Sequence, residues 1–446
     1  ATSAAAQQEH PATLDGHAYL DADTFVPVPQ DAPEGLSVSA KFTGPDNLRT
    51  EQLESLEPSS FMSADGAPRV TGADRPHAGQ PVQGFSGIKP AGDGDYWVMA
   101  DNGFGNKANS PDAMLMVHRV DPDWERGEVE LEETVYLKDP NKVLPFQLTN
   151  ENTSERYLTG SDFDPESFQI VENADGETRF WFGDEFGPYL FATTPEGVVT
   201  DFHQVKVDGE IVRSPDHFAL KLPTEPDGSV NFTVRRSRGL EGMAASPDGE
   251  MLYPMFEGPL YRDGSYESEN GSQFLRILEF DVSEGEFTGR SFKYELAQNG
   301  LSIGDFNMVD EDSALVIERD WGEGVPAKAC EGEAHADCFN KPAQFKRVYT
   351  ISFDGVEDGG FVDKLGYIDL MDIRDPNDNA VLGGQGDKFT FPLVTIEDVH
   401  MVDDRHIIVG NDNNYGVSMG RQLGEQDHNE FILLETPELL QQAMEN

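Results

Sequence analysis

Five segments of the chain repeat one plan, in which an apolar stretch with an acidic or small residue at its start is followed by a polar turn and a second strand-like stretch. The third copy is the clearest: Leu240-Glu241-Gly242-Met243, a turn at Pro247-Asp248-Gly249, then Met251-Leu252-Tyr253 before Glu257-Gly258. Start and end lie about 13 to 18 residues apart, which is the length of a two-stranded hairpin. Both ends of each hairpin are therefore expected at the same edge. The copies start near Gly84, Asp164, Leu240, Gly304 and Ile396.

Further strand-like runs come after the hairpins, as at residues 115–118 and 134–137, and four strands per unit is the composition of a propeller blade. The sequence predicts an all-β propeller with an N-terminal extension and long rim loops. Five blades are counted, and the wide spacing of the copies leaves a sixth open. The predicted boundaries are 1–80 for the extension, 81–436 for the propeller and 437–446 for a tail. A β-sandwich would not place every acidic hairpin end on one side.

The ring of blades requires closure, because the fifth unit has only three obvious strands, the last at residues 431–434. Residues 36–39 of the extension are the predicted closing strand. Two long segments, 201–237 and 320–344, carry few strand signals and are predicted to run over the rim and border the acidic face.

Charge restricts the partners. Asp and Glu total 83 against 32 Lys and Arg, a formal net charge of −51. Such a surface repels nucleic acids and anionic lipids, and a hydrated carboxylate coat is typical of halophilic proteins. Metal binding is expected only at the carboxylates that the repeat singles out.

The two cysteines, Cys330 and Cys338, are close in sequence and predict a disulfide in an oxidising compartment. A zinc site with His335 is the alternative, although further ligands at metal spacing are lacking. The chain opens with small residues typical of a mature N-terminus left by signal cleavage, and it has no apolar run long enough to span a membrane. We expect a periplasmic or extracellular monomer.

Several long motifs, in order along the chain, resemble the family known for the esterase-like activity of phytase. They are Asp101-Asn102-Gly103-Phe104-Gly105-Asn106-Lys107-Ala108-Asn109-Ser110-Pro111-Asp112, Gly183-Asp184-Glu185-Phe186-Gly187-Pro188, Gly239-Leu240-Glu241-Gly242-Met243-Ala244-Ala245-Ser246-Pro247-Asp248-Gly249 and Met255-Phe256-Glu257-Gly258-Pro259-Leu260. The resemblance covers residues 82 to 436. It implies a phytase-like propeller with phosphoester or ester hydrolase activity.

The residues themselves favour oxygen-ligand chemistry, because the sequence contains no GxSxG elbow, P-loop or HExxH motif. Carboxylates and amides crowded without His or Cys favour Ca²⁺ as the cofactor. Capping of strand ends is the alternative role for some of them. The predicted metal ligands are Asp101, Asn102, Glu166, Asp184, Glu185, Glu241, Glu257, Asp305, Glu318, Glu397, Asn411 and Asp412.

Basic residues beside these acids are candidates for phosphate recognition. Glu241, Glu166, Arg238 and Lys107 are the predicted catalytic residues. Arg238, Lys107, Arg319 and Arg236 are the predicted substrate-binding residues. Alternatively, the basic residues form ion pairs with the neighbouring acidic residues.

These features predict a secreted, Ca²⁺-dependent hydrolase of phosphate esters, with a small-molecule phosphate ester or other ester as partner. One alternative is a non-catalytic, calcium-stabilised propeller that binds a ligand or a protein. Another is a carboxylic-ester or lactone hydrolase that uses the same face.

Overall fold

A computed structural model describes residues 7–43, 49, 60–62, 68–73 and 75–445 of the chain. The described residues are mostly β-strand, and the one α-helix among them, Pro437–Glu445, is their last element. It packs its buried Leu439 and Leu440 against the core. The predicted all-β class is confirmed.

Five antiparallel four-stranded units carry most of the strands, and each of the predicted hairpins forms the first two strands of one unit. The turns explain why. At Asp93-Gly94, for example, both residues have positive φ, as a tight hairpin turn requires.

Each unit is defined by the bounds of its four strands. Unit 1 contains Phe85–Gly92, Asp95–Ala100, Met116–Asp123 and Glu128–Tyr136. Unit 2 contains Pro165–Glu172, Thr178–Asp184, Tyr189–Thr193 and Val199–Gln204. Unit 3 contains Leu240–Ala245, Met251–Phe256, Ser272–Asp281 and Glu286–Glu295. Unit 4 contains Ser302–Met308, Ser313–Arg319, Lys346–Ser352 and Asp363–Asp369. Unit 5 contains Thr395–Met401, His406–Asp412, Asn429–Glu435 and the N-terminal strand Thr13–Leu20.

The units are arranged in a ring. The first strand of each unit contacts the first strand of the next, and that of unit 5 contacts that of unit 1. Apolar side chains fill the spaces between neighbouring units: Met99 and Val117 of unit 1, for instance, share a cluster with Phe168 and Phe182 of unit 2. The fold is therefore a propeller-like, nearly closed assembly of sheets.

The N-terminal region closes the ring with a strand other than the predicted one. Thr13–Leu20 pairs antiparallel with Asn429–Glu435, whereas Val38–Ser39 pairs with His77–Ala78. Residues 36–39 were therefore the wrong prediction for the closing strand. Gly16 is one reason why the sequence of Thr13–Leu20 does not resemble a strand. A Cβ there would lie 2.7 Å from the ring of Trp124, so a residue with weak strand propensity is required inside the strand.

Short elements decorate the rim. The segment predicted as one excursion at 201–237 begins inside the last strand of unit 2, and the 320–344 segment contains the disulfide between Cys330 and Cys338 (Cα–Cα 4.9 Å), which confirms the pairing prediction. No helix among the described residues is both long and apolar enough to cross a membrane. The two 3₁₀ helices with described bounds are Glu34–Ser37 and Pro326–Lys328. The remaining strands are Gln8–Glu9, Phe25–Val26, Val38–Ser39, Ser60–Met62, Pro68–Val70, His77–Ala78, Gln80–Pro81, Lys206–Val207, Glu210–Ile211, Tyr261–Arg262, Ser265–Tyr266, Ser268–Glu269, Ile373–Arg374, Gly384–Gln385 and Lys388–Phe389.

Candidate functional site

Carboxylates from four of the five units meet at the open end of the hairpins, where the first strand of each hairpin begins and the second strand ends. Antiparallel pairing brings the two ends of a hairpin together, and the ring brings the hairpins together. We call this group the acidic cluster. It consists of Asp101, Asp164, Glu166, Glu185, Glu241, Glu257, Glu397 and Asp412.

Six carboxylates of the cluster lie close enough to one another to share an ion. Within each of three overlapping triads, one oxygen of every member lies within 4.8 Å of one oxygen of the other two. The triads link units 2, 3 and 5 across the centre of the ring. They are Asp164–Glu166–Glu185, Glu166–Glu241–Glu397 and Glu185–Glu241–Glu257.

Unit 4 contributes a cation to the cluster. Arg319, the last residue of its second strand, is 1% exposed, and its Nη2 lies 3.0 Å from Glu397, 3.3 Å from Glu257 and 3.6 Å from Glu241. Arg238 adds a second guanidinium at the edge, with Nη1 2.8 Å from Glu257. The carboxylates still outnumber the guanidiniums that touch them, so the cluster keeps an excess of negative charge.

Burial makes this excess costly. Desolvation, followed by the neighbouring carboxylates, raises the pKa of Glu166 and Glu241 well above the usual glutamate range. Burial also raises the pKa of Asp101 to about 6, against the effect of the hydrogen bonds it accepts from Gln83 and Gly103. A group of carboxylates that resists ionisation is one that cations would stabilise.

Two oxygens of the cluster lack any hydrogen-bond donor. Oε1 of Glu241 and Oδ1 of Asp164 are buried, and neither has a hydrogen-bond partner. Arg319 Nη2 lies 3.6 Å from Glu241 Oε1, whereas Asp164 forms no ion pair with any described residue. Because buried polar atoms are normally satisfied, Oδ1 of Asp164 indicates that a further positive partner can be accommodated among the carboxylates. The donor set of the cluster is oxygen alone, without His or Cys, and it fits Ca²⁺ better than zinc or copper.

Strand alternation separates some predicted ligands from the cluster. Glu318 precedes Arg319 on the same strand and points to the opposite face, where it accepts hydrogen bonds from the Tyr294 hydroxyl (2.5 Å) and Lys364 Nζ (2.5 Å). Asn411 precedes Asp412 and likewise turns away. Its Oδ1 accepts the Glu430 N–H at 2.7 Å. The prediction that Glu318 and Asn411 converge with the other predicted ligands is therefore wrong.

Other predicted ligands are engaged by the backbone. Asp184 accepts the N–H groups of Asp164 and Gly187, both at 2.8 Å. Asp305 accepts the N–H of Val399 at 2.9 Å and Nδ2 of its own strand neighbour Asn307 at 3.0 Å. These two carboxylates fasten loops and strands, as the capping alternative anticipates.

Asn102 adopts a similar structural role, because its Oδ1 accepts the Gly105 N–H at 3.0 Å while its Nδ2 is buried without a partner. Among the predicted basic residues, Lys107 is exposed and lies 5.3 Å from the centre of the Phe186 ring. Arg236 is exposed and pairs with Asp216 at 2.8 Å. The structure shows no contact of Arg236 with the acidic cluster.

Three residues at the site were absent from the predicted set. Asp164 belongs to the cluster and could have been found as the first residue of the second repeat. Ser86 donates a hydrogen bond to Glu397 at 2.8 Å. Trp321 lies against both arginines, with its ring centre 4.4 Å from the Arg238 guanidinium and 4.5 Å from that of Arg319. No local sequence pattern marks the last two, because only the fold brings them to the cluster.

The family whose pattern fits this chain is described as phytase-like, esterase-like activity of phytase, and it matches residues 80–415. That span takes in all five hairpins, with every carboxylate of the acidic cluster. The chain belongs to this phytase-like family. The resemblance inferred from the sequence motifs is thereby confirmed.

Individual relatives are distant. A protein of Arthroderma benhamiae described as an uncharacterized secreted protein is 24% identical over 269 residues, which cover 53% of this chain and 50% of that protein. The chain therefore spans about half the length of this curated relative.

Solved structures are similar at low sequence identity. A GH43 β-1,3-galactosidase with galactodeoxynojirimycin matches with a TM-score of 0.38 and 11% identity, covering 84% of this chain and 93% of that chain. A luciferin-regenerating enzyme matches with a TM-score of 0.32 and 10% identity, covering 83% and 81%. Neither TM-score is high enough to support an argument about this chain.

Proposed function

We propose that this member of the phytase-like family is a secreted, Ca²⁺-dependent hydrolase of phosphate esters that acts at the acidic cluster. We also count its five four-stranded units as five blades. One observation carries the proposal: a buried, oxygen-only group of carboxylates with unpartnered oxygens stands at the centre of the ring, beside a partly exposed arginine.

The position of each residue in and beside the acidic cluster determines its proposed role. Asp164, Glu185, Glu241, Glu397 and Asp412 would hold calcium, which when bound would offset the charge of the phosphate and polarise its P–O bond. Arg238 would orient the phosphate. Its side chain is 20% exposed, and its contact with Glu257 leaves guanidinium donors for a phosphate oxygen.

Glu241 and Glu166 would carry out the proton transfers. A water molecule would attack phosphorus in line with the leaving oxygen, and Oε1 of Glu241 would accept its proton as the new P–O bond forms. The bond to the leaving group breaks in the same step. Glu166, a buried carboxyl whose pKa is raised by desolvation and by its carboxylate neighbours, would donate the proton to the departing oxygen. Lys107 is exposed on a neighbouring loop and would attract the anionic substrate.

The test is turnover of p-nitrophenyl phosphate and phytate by protein stripped with EDTA. We expect activity to disappear with the metal and to return when calcium is added. Glu241→Gln is expected to lower the restored kcat/KM about 100-fold. Glu250→Gln, an exposed glutamate at the turn of the same hairpin, is the matched control and should retain activity. Stripped wild-type protein that regains no activity with calcium would refute the proposal.

The rival function is a non-catalytic propeller in which calcium is structural. Arg238→Ala separates the two. If Arg238 orients the substrate, the variant should have a kcat/KM about tenfold lower than wild type and an unchanged Tm. If Arg238 is only a structural partner of Glu257, the variant should have a lower Tm instead. A panel that adds carboxylic esters and lactones separates phosphate-ester hydrolysis from the third alternative.

Secretion is part of the proposal. The relative from Arthroderma benhamiae is described as secreted, and the Cys330–Cys338 disulfide suits an oxidising compartment. The periplasm and the extracellular space both meet that condition.

A further inference from the structure

A small cavity of about 120 Å³ opens beside the acidic cluster, on the side of units 3 and 4. Arg238, which pairs with the cluster residue Glu257, forms one wall, and Trp321 from the disulfide-containing loop forms another. The cavity is therefore adjacent to the position proposed for the phosphate, and whatever fills it would be attached to that phosphate or lie next to it.

The walls suit a ring. The side chains of Trp321 and Tyr266 are each 39% exposed, and Pro259 and Leu301 add apolar surface to the lining. Trp321 is held in place because Arg238 and the buried Arg319 both lie over its ring. A rigid, partly exposed aromatic wall binds planar or cyclic groups with little loss of conformational entropy. The volume accommodates one six-membered ring.

The cavity is also positively charged. Arg235 lines it, is exposed, and forms no ion pair within the part of the chain that the structure describes. A guanidinium in this position is suited to a carboxylate or other anionic substituent, which it can bind bidentately.

We propose that this cavity is the subsite for the organic group of the ester, and that it selects aryl phosphates whose ring carries an anionic substituent. The inference rests on the proposed function, because it places the phosphate at the acidic cluster. Trp321 and Tyr266 contact the ring, and Arg235 pairs with the substituent. None of these three residues is among the carboxylates that would hold calcium.

Substrate comparison gives the first test. 4-Carboxyphenyl phosphate is expected to have a higher kcat/KM than phenyl phosphate, and both a higher value than glycerol phosphate. Trp321→Ala and, as a milder change, Trp321→Phe should lower kcat/KM for the aryl substrates about tenfold and about threefold, and should lower the value for glycerol phosphate less than the values for the aryl substrates. Arg235→Ala should lower it about tenfold only for the carboxylated substrate. Arg290→Ala, an exposed arginine on the outer strand of unit 3, is the control.

Binding without turnover gives the second test and separates this inference from the proposed function. 4-Hydroxybenzoate, which contains no phosphate, is expected to quench the fluorescence of Trp321 in metal-free protein. Trp321→Phe removes the quenching, and Arg235→Ala weakens binding about tenfold. If no phosphate ester is hydrolysed but this binding is found, the subsite stands and the proposed function fails. Binding that is absent, or unchanged in both Arg235→Ala and Tyr266→Ala, overturns the subsite.

Discussion

Arg319 lies among three glutamates at the centre of the ring, and its surroundings restrict what it can do. Its guanidinium is buried, and Nη2 contacts Glu241, Glu257 and Glu397. A cation in that position lowers the repulsion among the carboxylates, but it is covered from solvent and from an incoming substrate. The placement favours the ion-pair alternative over the predicted substrate-binding role.

A second buried ion pair offers a clean test of residue-level electrostatics away from the acidic cluster. Glu430 accepts hydrogen bonds from His17 Nε2 at 2.9 Å and from Arg421 at 2.9 and 2.8 Å. Burial alone would raise the pKa of Glu430, but Arg421 and His17 outweigh it and lower the pKa to about 2. Because the folded-state pKa lies below the unfolded value, the stabilisation is complete above about pH 4.5 and is lost as the pH falls towards 2.

Glu430→Gln is therefore expected to lower the free energy of unfolding by about 3 kcal/mol at pH 7 and by about 1 kcal/mol at pH 3. The measurement is urea denaturation of both proteins at the two pH values, with exposed Glu250→Gln as a control that changes neither. A loss of equal size at pH 7 and pH 3 would contradict the electrostatic explanation.

At the scale of elements, ring closure depends on the N-terminal strand. Leu14 on that strand is 1% exposed, packs in the largest apolar cluster, and lies opposite Leu434. Its neighbour Asp15 is exposed on the other face. The two residues therefore distinguish burial from mere membership of the strand.

Leu14→Ala is expected to lower the free energy of unfolding by about 3 kcal/mol, because it removes buried methyl groups and leaves a cavity. Asp15→Ala should stay within about 0.5 kcal/mol of wild type. Denaturant unfolding followed by circular dichroism checks both. Similar small effects at the two positions would show that the closing strand contributes little to the stability of the ring.

The hairpins were predictable from sequence because each has a turn signal and an alternating or continuous apolar pattern beside it. The closing strand was not, since Gly16 and His17 interrupt the apolar pattern of Thr13–Leu20 and its partner lies at the opposite end of the chain.

The membership of the acidic cluster was only partly predictable for a related reason. Neighbouring residues of a strand face opposite ways, so Arg319 enters the cluster while Glu318 leaves it. The repeat marks where a hairpin ends but does not say which of two adjacent polar residues points inwards. Trp321 comes from a loop without any repeat, and its contact with the arginines results from tertiary packing alone.

At the scale of the whole molecule, the acids form two populations. Most of the 83 Asp and Glu residues belong to no cluster and are consistent with a solvation coat. The acidic cluster differs because several separate units bring its members to one buried place. No single hairpin could build it, since the three triads join units 2, 3 and 5. The central claim is that this arrangement binds calcium.

Calcium stoichiometry tests that claim most directly. Protein stripped with EDTA is dialysed to equilibrium against buffered calcium, and the metal content of both compartments is measured. We predict at least one tightly held calcium ion per wild-type chain, a loss of that ion in the Glu241→Gln, Glu397→Gln double variant, and retention in Glu250→Gln. Wild-type protein that holds no more calcium than the surrounding buffer would contradict the account.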